Sequence, residues 1–347
     1  MTSRTLIVSL QGIGNSLLAL PLARALYENG EPATLLTLSP RALPLLERVP
    51  FLAAALAAGE ADYQGLAGRA RLWRELRRRR FSRAIFSYPS GANAYRFIRL
   101  AGIPERLGHR YPEAGGAWRH LTLAVPAPAR THDLDQNRQL LAALGLPAAP
   151  ADCWPVLSVP DELRAKARAY LAGQGLDPEA RYLGLHTGCD GLWVEKRWPE
   201  EHFAVLAEEI FRRHGLPAIV FDGPAEPGTG RRVVRLAKTP VHALDGFGEL
   251  TDAWGLLSVC DLFVANDSGL MNLAAASGIP TVAVFGPSEP HRTRPYGPRG
   301  RAVVTERTCA PCYGLGPYPG CPHAYAHCLA GLPPGRVLAA AEDLLRR

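Results

Sequence analysis

CDLFVANDSGLMNLAAASGIPTVAVFGPSEPHRTRPYGP, residues 260–298, holds the alternation that decides the fold. The apolar run Leu262–Ala265 predicts a buried strand, Asn266-Asp267 a turn, and Ser268-Gly269 the opening of a helix through the strong helix formers Leu270–Ala276. Thr281–Phe285 predicts a second buried strand, closed by Gly286-Pro287. A helix N-terminus is thereby set at the carboxyl end of a parallel strand. Unpaired N–H groups and the positive end of the helix dipole converge there, and doubly wound sheets bind their ligands at that end. A diphosphate suits Ser268 and Gly269, since Gly269 lets a ligand approach the backbone. Asp267 would repel phosphate but can accept hydrogen bonds from hydroxyls, such as those of a sugar. An ordinary strand-turn-helix with a capping serine would show the same local pattern, so the rest of the chain has to decide.

At 347 residues and 47% hydrophobic content the chain can bury two ordinary cores, and two domains are the expectation. No apolar run reaches the ~18 residues of a membrane span, and the N-terminal run Leu6–Leu10 reads as a strand rather than a signal peptide, so a cytoplasmic protein is expected. The formal net charge of +7 favours anionic partners: a nucleotide, an acidic glycolipid or a membrane face. Nucleic acid is not expected, because no nucleic-acid-binding motif or aromatic-basic stripe is present. Lys166, Lys196 and Lys238 are the only lysines in an arginine-rich chain, so a lysine inside a motif stands out.

In the first half, Thr5–Leu10, Ala33–Ser39, Ala84–Tyr88 and Leu121–Val125 read as strands. The first is followed by Gly12-Ile13-Gly14-Asn15 and a helix over Leu17–Glu28, a glycine turn of the kind that binds ligands in doubly wound domains. A basic helix over Ala67–Arg80 ends in Arg77-Arg78-Arg79-Arg80 and carries Trp73. It reads either as a solvated face or as a contact for an anionic membrane surface. His132-Asp133 opens a helix to Leu144, as a capping cluster or as groups facing a ligand. The proline-rich stretch Gly145–Pro160 is the expected linker, giving domains at 1–157 and 158–347.

In the second half, Tyr182–Leu185 leads to His186-Thr187-Gly188, then Lys196-Arg197-Trp198-Pro199, and Pro217–Phe221 ends in Asp222-Gly223-Pro224-Ala225-Glu226. Cys309, Cys312, Cys321 and Cys328 fall within twenty residues with His323 and His327 between them. This density suggests a structural staple, with zinc or an iron-sulfur site as one option.

Taken together, Asn266-Asp267-Ser268-Gly269-Leu270-Met271, the following LAAASGIPTVAVFGPSEP and PYGP, and the collinear elements above resemble glycosyltransferase family 9, the ADP-heptose:lipopolysaccharide heptosyltransferases. The resemblance implies a GT-B fold: two facing Rossmann-like, doubly wound α/β domains with a cleft between them. The acceptor would lie on the first and the nucleotide-sugar donor on the second, with the final helix free to pack back on the first. It implies a metal-independent inverting glycosyltransferase that moves a heptose from an ADP-activated donor to a lipopolysaccharide-type glycan, with no cofactor required. Peripheral contact with the inner membrane face, through Arg77–Arg80, is a further option. Thr187, Lys196, Glu226, Asp267, Ser268, Gly269, Leu270 and Met271 would hold the donor, Lys196 on phosphate and Glu226 on the ribose. The family's catalytic aspartate falls on Asn15, an amide that cannot take a proton, which leaves His132 and Asp133 as candidate bases. The family's Met-His pair is here Met271-Asn272. A weakly active nucleotide-sugar-binding homologue, or a sugar-nucleotide epimerase of the same fold, are the competing classes.

Overall fold

The computed structural model describes residues 4–111, 116–147, 154–189, 194–223, 228–244, 248–312, 320–321, 323 and 327–346. The chain divides into two compact units, Met1–Cys153 and Trp154–Arg347. Each is built around a six-stranded parallel sheet.

In the first unit the strands are β1 (Thr5–Ser9), β2 (Ala33–Thr37), β3 (Leu52–Ala57), β4 (Arg83–Phe86), β5 (Glu105–Arg110) and β6 (Leu123–Pro126), in the order β3-β2-β1-β4-β5-β6. The second unit repeats the plan with β7 (Tyr182–His186), β8 (Ala218–Phe221), β9 (Val241–Leu244), β10 (Cys260–Asn266), β11 (Thr281–Phe285) and β12 (Gly300–Val304), in the order β12-β11-β10-β7-β8-β9. The central strands are continuous apolar runs with every residue buried, as a sheet covered by helices on both faces requires. Each order reverses direction once, between β1 and β4 and between β7 and β10. Those reversals open the crevice in which doubly wound sheets take their ligands.

The second unit's core is formed where Trp198, Phe203 and Ile210 meet β7, β8, β10 and β11. The final helix, Pro334–Leu345, which the sequence reading left free to return to the first domain, buries Val337, Ala341 and Leu344 in this same core. Gly278, at φ +78°, turns the chain out of the helix Gly269–Ala276 and into β11, a backbone that side-chain-bearing residues rarely adopt.

Two local features differ from expectation. The glycine turn after β1 is not a loop: the helix Ile13–Leu18 begins directly after Gly12, and Asn15 lies inside it. Strands β3, β5, β9 and β12 add to the eight read from sequence, and three of the four lie at sheet edges.

Close packing of the helices Asp161–Gly173 and Leu250–Leu257 depends on Gly255, where an added Cβ would stand 2.5 Å from the carbonyl oxygen of Leu163. Gly255→Ala gains about 1 kcal/mol of helix propensity but overpacks backbone against backbone. The variant is expected to lose about 1–3 kcal/mol in urea unfolding. An unchanged or higher midpoint would show that the helices separate at no cost.

Candidate active site

Parallel pairing aligns Ala265 of β10 with His186 of β7, so the segments leaving these two strands emerge side by side at the reversal of strand order. The fully buried carboxamide of Asn266 ties them together. Its Nδ2 donates to the carbonyls of Thr187 and Gly188 at 2.7 and 3.1 Å, and its Oδ1 accepts the backbone N–H of Trp198 at 2.9 Å. One side chain therefore joins the three motifs that the sequence separates by some 80 residues.

Beyond this tie stand Lys196 and Asp267. The Lys196 ammonium donates to Asp267 Oδ2 at 2.8 Å, with the two side chains only 15% and 11% exposed. Thr293 donates to the other carboxylate oxygen at 3.5 Å. A partly desolvated pair of this kind holds both groups in one place.

Ser268 caps the helix Gly269–Ala276 as the sequence implies: its Oγ accepts the N–H of Met271 at 3.2 Å from an extended backbone. The N–H groups of Gly269 and Leu270 belong to the first turn, which has no intrahelical acceptors to offer them. Asn272, in place of the family histidine, donates from Nδ2 to the Ser268 carbonyl at 3.2 Å, and its buried Oδ1 has no protein partner. Behind the cap, His186 Nδ1 meets Ser268 Oγ at 3.1 Å. Thr187 is fixed by a second network: it donates to Thr229 Oγ1, which donates to Asp222, both at 2.8 Å, and Asp222 also accepts the Gly230 N–H at 2.6 Å. Asp222 thus secures the start of the helix Thr229–Leu236. Glu226, the expected ribose contact, lies outside the described residues.

Sequence reading assigned Asp267, Ser268 and Lys196 but not Asn266, His186, Asp222 or Thr293. Asparagine at the last position of a buried strand was an available signal, because a carboxamide there needs three or four partners.

In the first unit, His132 is the N-cap of the helix Asp133–Ala143, its Nδ1 accepting the Leu134 N–H at 3.2 Å. Asp133 is buried and accepts from Gln136 at 3.4 Å. Asn137 donates to the Leu18 carbonyl at 3.2 Å, which holds this helix against the one that carries Asn15. The candidates Asn15, His132 and Asp133 therefore stand on adjoining helices next to the β1–β4 reversal.

Cys328 is buried, Cys321 half-buried, and Cys309 and Cys312 exposed, all as free thiols. Although Cys312 is exposed, partial desolvation of its sulfur pushes the thiol up, with the nearby Cys321 and Cys309 adding to it. Among the described residues no three His, Cys, Asp or Glu side chains are arranged to hold a metal ion. The Cys312 N–H donates to the Pro287 carbonyl at 2.9 Å, fastening this segment to the loop after β11.

The model of glycosyltransferase family 9 (heptosyltransferase) matches residues 69–317. The chain belongs to glycosyltransferase family 9. It is 27% identical to lipopolysaccharide heptosyltransferase 2 of Escherichia coli K12 over 324 residues, 86% of this chain and 87% of that one. Among solved structures, that of E. coli ADP-heptose LPS heptosyltransferase II aligns with 99% of this chain and 98% of its own, at TM-score 0.76 and 25% identity. A family 9 glycosyltransferase from Veillonella parvula matches in fold at TM-score 0.77 and 22% identity, over 99% and 97% of the two chains. The two six-stranded parallel sheets are accordingly those of a GT-B glycosyltransferase, and the motifs that Asn266 ties together belong to a family 9 enzyme.

One consequence of the site's burial is measurable. Desolvation, followed by the charge of Arg197, lowers the His186 pKa to about 4. As pH falls below 6.5 the unfolded chain takes a proton at this residue while the folded chain does not. Stability is therefore lost between about pH 6.5 and 4 and no further below. The effect is on the order of 3 kcal/mol. Urea unfolding at pH 7 and pH 4.5 should show a shallower loss for His186→Gln than for the parent, and equal losses would remove His186 from the pH dependence.

Proposed function

We propose that this chain is an inverting, metal-independent heptosyltransferase that moves a heptose from an ADP-activated donor to a lipopolysaccharide-type glycan of the cell envelope. The donor lies on the second unit and the acceptor on the first. The observation that carries this reading is the Lys196–Asp267 pair beside the capped helix at Gly269, because it joins a diphosphate site to a hydroxyl acceptor. The similarity to an ADP-heptose LPS heptosyltransferase of known structure supports the choice of donor.

In this mechanism the acceptor oxygen forms a bond to the anomeric carbon from the face opposite the diphosphate, while the bond to the leaving ADP breaks. Negative charge grows on the diphosphate. Lys196 and the first-turn N–H groups of Gly269 and Leu270 lie ready to stabilise it, so the step needs no divalent ion. Asp267 accepts hydroxyls of the heptose and keeps Lys196 from swinging away. Activity is expected to survive EDTA.

Lys196→Met should weaken both ADP and ADP-heptose by about 10- to 100-fold in calorimetry, whereas Asp267→Asn should weaken ADP-heptose and spare ADP. Unchanged affinities in both variants would displace the site.

Asn15 orients the acceptor but cannot accept its proton, and Asp133 or His132 on the adjoining helix takes that role. If so, Asn15→Asp leaves turnover equal or lower, and Asp133→Asn or His132→Gln abolishes it. A rise of about 100-fold in Asn15→Asp would instead identify a lost base and a weakly active homologue, the second reading that the amide at this position favours.

The acceptor of such an enzyme is lipid-anchored, so the chain works at the cytoplasmic membrane face. Among the described residues no helix is long and apolar enough to cross a membrane, and contact would therefore be peripheral.

A further inference from the structure

Outside the site, the first unit presents an unusual surface on the helices Gly65–Arg79 and Ala92–Leu100. Between Gly65 and Arg80 the chain carries seven arginines and one acid, Glu75, which is already paired with Arg78 and Arg79 at 2.9 and 2.7 Å. The inward stripe is Gly68, Leu72 and Leu76, all buried. Leu66, Ala70, Trp73 and Arg77 recur at spacings of four, three and four on a different stripe, about a quarter-turn or more away. Leu66 is 86% exposed. Trp73 donates its indole N–H to the carbonyl of Leu100 at 2.9 Å, which brings the end of the second helix, with Leu100 itself 68% exposed, against this stripe. The Arg77 guanidinium lies over the Trp73 ring at 4.9 Å. Exposed Arg69, Arg74 and Arg99 surround these apolar groups. The pattern continues at Trp118, which lies 5.4 Å from the guanidiniums of both Arg110 and Arg119.

Two exposed leucines and a part-exposed tryptophan within a ring of arginines do not serve a solvated face, which would place charge where the leucines are. A protein partner's core would have to desolvate several arginines at once and supply an acid for each. They fit an anionic phospholipid surface: apolar groups enter the headgroup boundary, the indole lies at the interface, and arginine stems snorkel to the phosphates. A helix joining two parallel strands runs opposite to them, so the face extends along the side of the sheet, with Leu66 toward its carboxyl end and Arg77 and Leu100 toward its amino end.

We infer that the face formed by Leu66, Trp73, Arg77 and Leu100 docks the enzyme on an anionic membrane, the surface that holds a lipid-anchored acceptor. This rests on the proposed acceptor class for its purpose, but not for its measurement. The full chain is mixed with vesicles of phosphatidylethanolamine and phosphatidylglycerol, or of phosphatidylcholine alone, and bound protein is collected by sedimentation. Binding is expected only to the anionic vesicles and should weaken with salt. The triple variant Arg69→Gln/Arg74→Gln/Arg77→Gln should lower the partition constant by about 100-fold. Leu66→Ser/Leu100→Ser, which removes no charge, should lower it by about 10-fold, and both variants should keep the parent's unfolding midpoint. Turnover of a delipidated, soluble acceptor should be unchanged in both, so a wrong acceptor leaves the vesicle result intact. Vesicle binding equal to the parent's in both variants would overturn the inference, as would competition by duplex DNA or RNA that displaces the parent from vesicles.

Discussion

The side chain of Asn266 is the constraint on which the candidate site of the second unit depends. A strand that ends in a buried carboxamide must place two N–H donors and one acceptor oxygen, and here every one of those needs is met by backbone from two other segments. Asparagine alone has the chemistry and reach. An aspartate could not donate to the Thr187 and Gly188 carbonyls and would bury a charge, a glutamine would overshoot by a methylene, and a serine would leave two groups unmet. Each buried polar group left unpaired costs about 1–3 kcal/mol, so the tie is worth several such increments. What it secures is position. Asp267 and Ser268 follow Asn266 directly, and Lys196 precedes Trp198 by two residues, so the ion pair and the helix cap inherit their geometry from this one anchor.

The choice of lysine at residue 196 follows from the same geometry. An arginine opposite Asp267 would close a bidentate fork, spending both carboxylate oxygens and aligning its donors on a single partner. The ammonium makes a point contact with Oδ2, and among the described residues Oδ1 receives the long contact from Thr293. Two kinds of ligand group can then be met at once, a phosphate by the cation and a hydroxyl by the anion. In a chain so rich in arginine, the exception stands where a fork would be a hindrance.

Much of this was legible in sequence, and the illegible parts have physical causes. Strands β1, β7, β8, β10 and β11 lie in the interior of their sheets and are buried on both faces, so they read as uninterrupted apolar runs. Strands β9 and β12 lie at edges, and β5 carries Arg106 and Arg110, so VHAL, GRAVV and ERLGHR lack that signature, while the edge strand β3, LAAALA, is apolar throughout but built mostly of alanine, which favours helix over strand. The Ser268 cap was readable because capping is local chemistry within four residues. The role of Asn266 was not, because its partners are 68 to 79 residues away and only the β7–β10 pairing makes them neighbours. The turn after β1 misled for a simpler reason. Gly12 and Gly14 suggest a loop, but no positive φ is used there, and the chain enters a helix at once.

That last difference bears on how the candidate residues of the first unit are held. A residue on a loop can move to meet its substrate, whereas Asn15 is held in a helix whose Leu18 carbonyl is bonded to Asn137 on the helix led by His132 and Asp133. The His132 ring is committed through Nδ1 to capping that second helix, and Asp133 is buried in its first turn, so both groups are fixed by the same helix start that Asn137 holds against the helix of Asn15.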